Sequence, residues 1–252
     1  MNQIFTCSLF CLCSLQAATI APTDPLSPGE QQKKFKIPKG FVIELVVAEP
    51  DIGQPMNLNF DAQGRLWVSS SVEYPYPAKG DIDEPSGKFK KVSDHPPGDW
   101  LTVVSGLDKS DKAQTIKRFV GGLNIPIGTV PLNDGSSALA YDIPSIRRHQ
   151  DTDGDGVADK NSIVYTRFGH RDTHGMSSSF TRWVDGWIYG CHGFANRSTI
   201  TDGSGETTKL YSGNTYRFST DGSRFEQFTW GQINPFGITF DALGNIYNAD
   251  CH

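Results

Sequence analysis

Residues 230–252 read WGQINPFGITFDALGNIYNADCH. Small and apolar residues alternate from Gly237 to Phe240, which is the pattern of a half-buried strand. The Asp-Ala-Leu-Gly that follows is typical of a turn, because Gly244 can adopt a positive φ without steric cost. Residues 245–247 then begin a returning strand. The stretch therefore predicts two antiparallel strands joined by a tight turn.

The same arrangement occurs near the other end of the chain. Residues 55–67 repeat the proline, the Phe-Asp-Ala turn, the glycine and the closing aromatic residue in the same order. Residues 175–189 form a looser third copy around a Val-Asp-Gly turn. A recurring two-strand unit of this kind is typical of a repeat architecture. It predicts an all-β fold, a β-propeller built from four-stranded antiparallel blades.

The predicted blades begin at Pro55, Pro126, His174 and Pro235. A strand over 41–47 is expected before the first blade, where propellers often use such a strand to close the ring. Three blades and part of a fourth cannot close a ring without leaving an unpaired edge. We therefore expect the chain to be a fragment of a longer protein.

Bulk composition narrows the functional classes. The 252 residues include 26 glycines and 15 prolines, which suit one large, turn-rich β domain. The formal net charge is −5 and the basic runs are short, which argues against nucleic acid as a partner. The mean hydropathy of −0.39 excludes a multi-span membrane protein. Association with a membrane is expected only through domains outside this chain.

The N-terminus resembles a secretory signal. Residues 1–18 contain a short apolar core followed by small residues suitable for cleavage, which predicts export to the periplasm or cell surface. The segment before the core lacks Lys and Arg, so an ordinary N-terminal strand or a disordered start is the alternative. Residues 19–34 are interpreted as a linker and residues 35–252 as the propeller. After cleavage only Cys191 and Cys251 remain, either as a disulfide or as two separate thiols.

The order of strands within a blade predicts which loops lie together. The first two strands of each blade run antiparallel, so the segment entering the first and the segment leaving the second lie on one face. Propeller ligands usually bind at the mouth of the central channel on such a face. The alternative is that these loops are merely polar, but we favour a site. The residues expected on this face are His170, Arg171, Asp172, His174, His192, Asn196, Arg197, Gln232, Asn234, Asp250 and His252.

Residues 151–159, DTDGDGVAD, form the most specific local motif. Their spacing of carboxylates around a central glycine matches a calcium-binding loop, whose sharp turn requires glycine. Position twelve is Ser162 instead of the usual bidentate glutamate, so we expect a modest affinity. A bare acidic turn is the alternative, and the loop is expected on the opposite face from the histidines, where an ion would be structural. The predicted ligands are Asp151, Asp153, Asp155, Asp159 and the backbone carbonyl of Val157.

Several of these segments resemble known redox proteins. Residues 231–238, GQINPFGI, resemble a segment of the soluble glucose/sorbosone dehydrogenases, which are six-bladed propellers that use pyrroloquinoline quinone (PQQ). His174-Gly175 and the strand that follows resemble the segment around their catalytic histidine. Residues 35–61, 151–160 and 172–252 resemble more closely the membrane-bound dehydrogenase domain of planctomycete-type bacteria. The resemblance implies six blades in the full protein, of which this chain would be an N-terminal fragment of about three and a half.

The resemblance also implies a function. An exported quinoprotein-like dehydrogenase would oxidise a sugar or other alcohol and pass electrons to a downstream cytochrome-like haem domain. His174 would be the general base, with Arg171 as a second catalytic residue. The cofactor-binding residues would be Gln232, Asn234, Arg197 and His192.

One residue departs from the pattern of the dehydrogenases. Ile233 stands where they have an arginine that stabilises the developing quinone oxyanion. Arg171 or Arg197 could substitute from a neighbouring loop. The alternative function is a catalytically inactive propeller that serves as a carbohydrate-binding or assembly module. Ile233 favours this alternative, whereas His174 together with Asn234 favours the dehydrogenase.

Overall fold

The structure, a computed structural model, describes residues 24–79, 95–107, 113, 115–132 and 135–250. The predicted signal segment 1–18, Cys251 and His252 lie outside the described residues. The chain divides into two units, Met1–Ile43 and Glu44–His252. Within the described ranges, no helix has the length and apolar character needed to cross a membrane.

The first unit contains a short helix, α1 (Pro28–Gln32), inside the predicted linker. Ser27 and Glu30 form a capping box at its start, because each side chain bonds to the backbone of the other residue. The N–H of Ser27 donates to the Glu30 carboxylate at 3.0 Å. This reciprocal cap explains how five residues can form a helical turn in a segment rich in Pro, Ser and Gly.

The strand predicted over 41–47 does not form. Phe41 and Val42 are 72% and 82% exposed, and no strand of the described chain pairs with these residues. Their β-branched and aromatic side chains favour extended backbone, but a strand also needs a partner on which to pack and bond. The prediction was therefore wrong at this segment.

The second unit is a β-propeller of four-stranded blades, as the repeat predicts, with three full blades and two strands of a fourth in the described residues. The first blade contains β1 (Gln54–Phe60), β2 (Leu66–Ser71), β3 (Asp99–Ser105) and β4 (Thr115–Leu123). The second contains β5 (Thr129–Leu132), β6 (Ser137–Asp142), β7 (Ser145–Gln150) and β8 (Lys160–Tyr165). The third contains β9 (Ser177–Arg182), β10 (Ile188–His192), β13 (Gly213–Phe218) and β14 (Phe225–Gln232). A separate hairpin joins β11 (Arg197–Thr201) to β12 (Thr207–Tyr211), and the fourth blade contributes β15 (Pro235–Phe240) and β16 (Ile246–Asp250).

The repeated turn has the same hydrogen bonds in the first and fourth blades. Asp61 Oδ1 accepts from the N–H groups two and four residues later, both at 3.0 Å. Asp241 Oδ1 does the same, both at 2.9 Å. Gly64 and Gly244 follow at φ 74° and 87°, a conformation that favours glycine. The shared Asp-x-x-Gly therefore specifies the turn through local chemistry.

The innermost strands β1, β5, β9 and β15 contact one another in that order around the channel. Asn59, on β1, donates through Nδ2 to the carbonyl of Thr129 on β5 at 2.6 Å and to that of Phe180 on β9 at 3.1 Å. The N–H of Thr129 in turn donates to Asn57 Oδ1 at 2.9 Å. Two asparagine side chains thus join the inner strands of three blades.

The second blade is buried on both faces. Successive side chains of β6 point to opposite sides, so Ala138 and Ala140 pack in the first blade's core, which contains Trp67. Leu139 and Tyr141 pack in the core shared with the third blade. Burial of Leu139 alone contributes about 1.5–3 kcal/mol. This alternation holds the three blades together.

The hairpin β11–β12 was not predicted from the sequence. It is inserted between the second and third strands of the third blade and forms its own two-stranded sheet. Ile200 and Leu210, one from each strand, are fully buried in the core shared by the second and third blades. Its first residue, Arg197, is exposed at the end of the hairpin near the predicted site.

Candidate functional site

The loops predicted to share a face do meet. The N–H of Phe194, just after β10, donates to Asn234 Oδ1 at 2.9 Å, which links the third and fourth blades. The N–H of Gly193 donates to the carbonyl of Gly175 at 2.9 Å, which links the exit of β10 to the segment before β9. The antiparallel geometry of the blades is the reason, since it returns both ends of each inner strand pair to one side.

Gly193 is required by this close approach. A Cβ atom at this position would lie 2.7 Å from the Cα of Gly175 and would also collide with Asn234 Oδ1. Both neighbours belong to packed loops and cannot simply rotate away. The glycine therefore allows the segments of His174 and Asn234 to lie against each other.

His174 lies in a short 3₁₀ turn, Thr173–Gly175, and is exposed. Asp172 caps this turn, because its Oδ1 accepts from the N–H of His174 at 3.0 Å. Asn196 is fully buried behind the turn and donates to the carbonyls of Asp172 and Gly175 at 2.8 and 2.7 Å. The backbone that presents the His174 ring is thus held from both sides.

The first blade also reaches this face. The rings of Tyr74 and His174 lie 5.1 Å apart between centroids and are tilted by 51°. Thr173 Oγ1 donates to the carbonyl of Pro75 at 2.7 Å. The segment after β2 is therefore fixed beside the histidine, and the first, third and fourth blades all border the site.

Two exposed arginines lie in segments predicted for this face. Arg171 immediately precedes the capped turn, and Arg197 begins β11. The Arg197 guanidinium lies over the Tyr211 ring at 5.7 Å from its centroid. Both cations lie on solvent-exposed parts of the loops, where they are available to an approaching ligand.

His192 has a structural role instead of the predicted cofactor contact. It is completely buried, and its Nδ1 lies 2.8 Å from the carbonyl of Ser212. A carbonyl only accepts, so Nδ1 carries the proton and Nε2 accepts from Ser198 Oγ at 2.7 Å. Burial lowers the pKa of His192, so the imidazole is held in its neutral form. Neither ring nitrogen is left for a cofactor.

Gln232 is likewise engaged within the protein. Its Nε2 donates to Thr215 Oγ1, Thr229 Oγ1 and Asn248 Oδ1 at 2.9–3.2 Å. Its Oε1 is buried and has no hydrogen-bond partner among the described residues. The amide thus mainly joins β14 to its neighbours β13 and β16.

The Ile233–Asn234 segment is fixed by one carboxylate. Asp250 accepts from the N–H of Ile233 at 3.0 Å and from that of Asn234 at 2.6 Å. The Ile233 side chain is 50% exposed and contributes no polar group to the face. The oxygen of Asn234 is already used by Phe194, as described above.

The resemblance implies a binding site for PQQ, but the residues on this face do not fit that cofactor. An anionic quinone needs cations and free hydrogen-bond donors around it. The imidazole of His192 and the donor nitrogen of Gln232 are committed inside the protein, and Ile233 replaces the arginine. Among the residues predicted for catalysis and cofactor binding, all of which the structure describes, the exposed ones are His174, Arg171 and Arg197.

Cys191 is a buried free thiol at the end of β10. Burial raises the pKa of the thiol to about 12, which keeps it protonated and unreactive at neutral pH. The Nδ2 of Asn248 lies 3.6 Å from its sulfur. Its possible partner Cys251 lies outside the described residues.

The Asp loop has the geometry of a partial cation site. Carboxylate oxygens of Asp151, Asp153 and Asp155 lie within 4.8 Å of one another, a separation that one Ca²⁺ with bonds of about 2.3–2.6 Å can bridge. Gly154 and Gly156 have φ values of 81° and 83°, so the sharp turn does require glycine. Partial burial opposes ionisation of Asp151, but the amides of Gly156 and Gly154 outweigh it and lower its pKa.

The other predicted ligands are less favourable. Asp159 lies outside the carboxylate cluster, because its oxygens accept from the hydroxyl of Thr152 at 2.7 and 2.9 Å. The N–H of Val157 donates to Asp155 Oδ1 at 2.7 Å, which orients that carboxylate. Ser162 is part of β8 and pairs with Arg148 across the sheet. Three of the four predicted carboxylate ligands thus come together.

The Asp loop also packs on the outer strand of the first blade. The N–H of Ala158 donates to the carbonyl of Phe119 at 2.7 Å. Lys117 Nζ donates to the carbonyl of Asp155. The sequence carries no local signal for Lys117, which lies on β4 of another blade. The loop therefore connects the first two blades.

Comparison with known proteins places this fold in a family. A protein-family profile described as "Domain of unknown function (DUF7133)" matches residues 27–251. The chain belongs to the DUF7133 family. No curated protein matches the chain at a significant level.

Solved structures resemble this DUF7133 domain only distantly. A candidate gluconolactonase is 15% identical, with a TM-score of 0.46, over 78% of this chain and 55% of the other. Regucalcin, a calcium-binding protein from Agrobacterium tumefaciens, is 12% identical, with a TM-score of 0.42, over 73% of this chain and 48% of the other. The chain spans about half the length of these two proteins.

The sequence gives no indication of one buried charged residue of the DUF7133 domain that bonds to several segments. Asp99 is fully buried and accepts from the N–H groups of Val72 and Ile125 at 2.7 and 2.9 Å and from Ser71 Oγ at 2.7 Å. Ile125 is held at φ 52°, a strained value for a β-branched residue. Burial raises the pKa of Asp99 in spite of these bonds. An aspartate at the start of a strand gives no sequence signal for this role in joining two blades.

Proposed function

We propose that the domain is a carbohydrate-binding module whose ligand contacts the face around His174. The observation that carries the proposal is the contrast between committed and exposed groups. The imidazole of His192 and the amide nitrogen of Gln232 are bonded inside the protein, whereas the side chains of His174, Arg171 and the half-exposed Phe194 reach solvent. Such a surface can hold a ligand but lacks the set of donors needed for a bound quinone.

The chemistry of the exposed groups suits a sugar. The rings of Tyr74 and His174 lie side by side at a tilt of 51° and form an aromatic surface against which the C–H face of a pyranose can pack. Arg171 supplies hydrogen-bond donors for hydroxyl oxygens. Ligand sites commonly combine an aromatic lining with a few orienting polar groups of this kind.

A calcium ion belongs to the proposal as a structural ion. Its ligands would be Asp151, Asp153 and Asp155. Because the loop also bonds to Phe119 and Lys117 on β4, an ordered loop would stabilise its contact with the first blade. The ion would then stabilise the scaffold without contacting the sugar, because the strand order predicted from the sequence places the Asp loop on the opposite face of the propeller.

Binding can be tested with the full chain and a panel of neutral sugars that includes D-glucose and cellobiose, by saturation-transfer NMR and calorimetry. Tyr74→Leu keeps the apolar bulk but removes the aromatic surface. We expect binding to weaken about 2- to 13-fold, since aromatic contacts are worth roughly 0.5–1.5 kcal/mol. Arg171→Ala should also weaken binding. Arg182→Ala is the matched control, because Arg182 is exposed at the opposite end of β9. If no sugar binds, or if Arg182→Ala weakens binding as much as Arg171→Ala, the proposal fails.

A second candidate is the dehydrogenase implied by the resemblance. The observation in its favour is that His174 is exposed on a capped, rigid turn and could take a proton from an alcohol. Export and a downstream haem domain that accepts electrons belong to this candidate. Addition of PQQ and calcium to the chain, followed by aldose-dependent dye reduction, separates the two functions. Turnover that His174→Gln abolishes would establish the dehydrogenase in place of the binding module.

A further inference from the structure

A cleft of about 320 Å³ lies between the first and second blades. Its walls come from the end of β4, the β6–β7 connection and the adjoining strands β7 and β8. None of the residues predicted to bind a cofactor or to act as a base lines it. Its volume falls at the lower end of the range of about 300–1,000 Å³ that is usual for small-molecule sites.

His149 lines the cleft and has a buried ring nitrogen for which the fold supplies no hydrogen bond among the described residues. It lies on β7, is only 4% exposed and lines the cleft. Its Nε2 is buried and has no hydrogen-bond partner within the described part of the chain. A buried polar atom without a partner costs about 1–3 kcal/mol, so a structure that keeps one usually supplies the partner from outside.

Other polar groups of the cleft leave it without net charge. Arg147 Nε and Asp142 Oδ2 lie 3.1 Å apart, and both side chains are largely buried, at 17% and 15% exposure. Asn161 pairs with His149 across β7 and β8 and adds a neutral carboxamide.

Part of the lining of the cleft is an exposed glycine. Gly121, on β4, lines the cleft, and a Cβ atom there would meet nothing closer than Arg118 Cδ at 3.8 Å. Gly121 is not among the residues at positive φ, so other residues can adopt its backbone conformation. A larger side chain at Gly121 would therefore fill the cleft without backbone strain.

We propose that this cleft binds a small neutral polyol, held by His149 Nε2 and the carboxamide of Asn161. A hydroxyl group both donates and accepts, so it can satisfy an imidazole nitrogen in either tautomer and an amide at the same time. A charged ligand would find no uncompensated opposite charge, because the charges of Arg147 and Asp142 offset each other. The site is separate from the sugar site proposed around His174 and does not depend on it.

The test uses the full chain, with its histidines labelled with ¹⁵N and titrated with myo-inositol. The Nε2 resonance of His149, assigned by its loss in His149→Phe, should shift and saturate. Gly121→Leu should weaken the binding at least tenfold by filling the cleft. Gly29→Leu is the matched control, since a Cβ at Gly29 meets nothing within 4 Å, and it should bind as the wild type does.

Three further outcomes decide the proposal. His174→Ala should leave the shift intact, which separates this cleft from the proposed sugar site. Sodium acetate at the same concentration should produce no shift; a shift with acetate and none with inositol would overturn the neutral-ligand assignment. Absence of any shift with inositol would show that the imidazole is satisfied by water alone and would overturn the site.

Discussion

Acidification should destabilise the propeller through His149. The imidazole is 4% exposed and lies beside Arg147, and these two causes lower its pKa from the usual 6.5 to about 4. The unfolded chain binds a proton at this residue below about pH 6.5, whereas the folded chain does so only below about pH 4. The stability contributed by the neutral ring is therefore present above pH 6.5 and is lost as the pH falls to 4. The difference corresponds to at most about 3 kcal/mol in the free energy of unfolding.

Other buried groups also make the stability depend on pH, and their effects must be separated from that of His149. Burial lowers the pKa of His192, so its effect has the same sign. Burial raises the pKa values of Asp99 and Glu73, and these carboxyls favour the folded state as the pH falls. The quantity to measure is therefore the difference in pH dependence between wild type and a variant of His149.

Urea unfolding of wild type and His149→Gln at pH 7.0, 5.5 and 4.5 gives this difference. The wild type should lose roughly 2 kcal/mol more than the variant between pH 7.0 and 4.5. If His149→Gln and wild type show parallel pH profiles, the imidazole does not have the buried, neutral state described.

Calcium should raise the melting temperature of the chain, since an ion at 100 times its Kd adds about 2.7 kcal/mol; Asp153→Ala or a chelator should remove the gain, and Asp185→Ala should keep it. If the melting temperature changes neither with calcium nor with chelator, the proposal of a calcium ion in the Asp loop is wrong. Gly193→Ala should cost about 1–3 kcal/mol in urea unfolding, because its Cβ collides with packed loops, whereas Gly121→Ala meets only ordinary contacts. Equal stability of the two alanine variants would show that the loops around Gly193 can move apart.

The propeller could be predicted because its signals are local. The turn bonds of Asp61 and Asp241 involve residues no more than four positions away, so the repeat carries them in its sequence. The shared face also followed, since strand direction alone determines which loops meet. The hydrogen bond between Phe194 and Asn234 agrees with this prediction, because it joins two of the loops expected on that face.

The roles of individual side chains could not be predicted in the same way. Cys191-His192 and Cys251-His252 are alike in sequence, yet the environment of His192 is decided by Ser198 and Ser212, which come from an insertion that the repeat does not contain. The strand expected over 41–47 does not form for a similar reason. Its β-propensity comes from the local sequence, but a strand also needs a pairing partner from elsewhere in the chain. Long-range contacts decide which polar groups remain available, and one sequence does not reveal them.

The bonds of Asn59 to the second and third blades have a consequence for synthesis. Thr129 and Phe180 are 70 and 121 residues further along the chain. At about 5–20 residues per second, the ribosome needs roughly 6–24 s after Asn59 before it has made Phe180. During this time the first inner strand has an amide without its final acceptors. Maturation of the channel wall must therefore wait for the third blade.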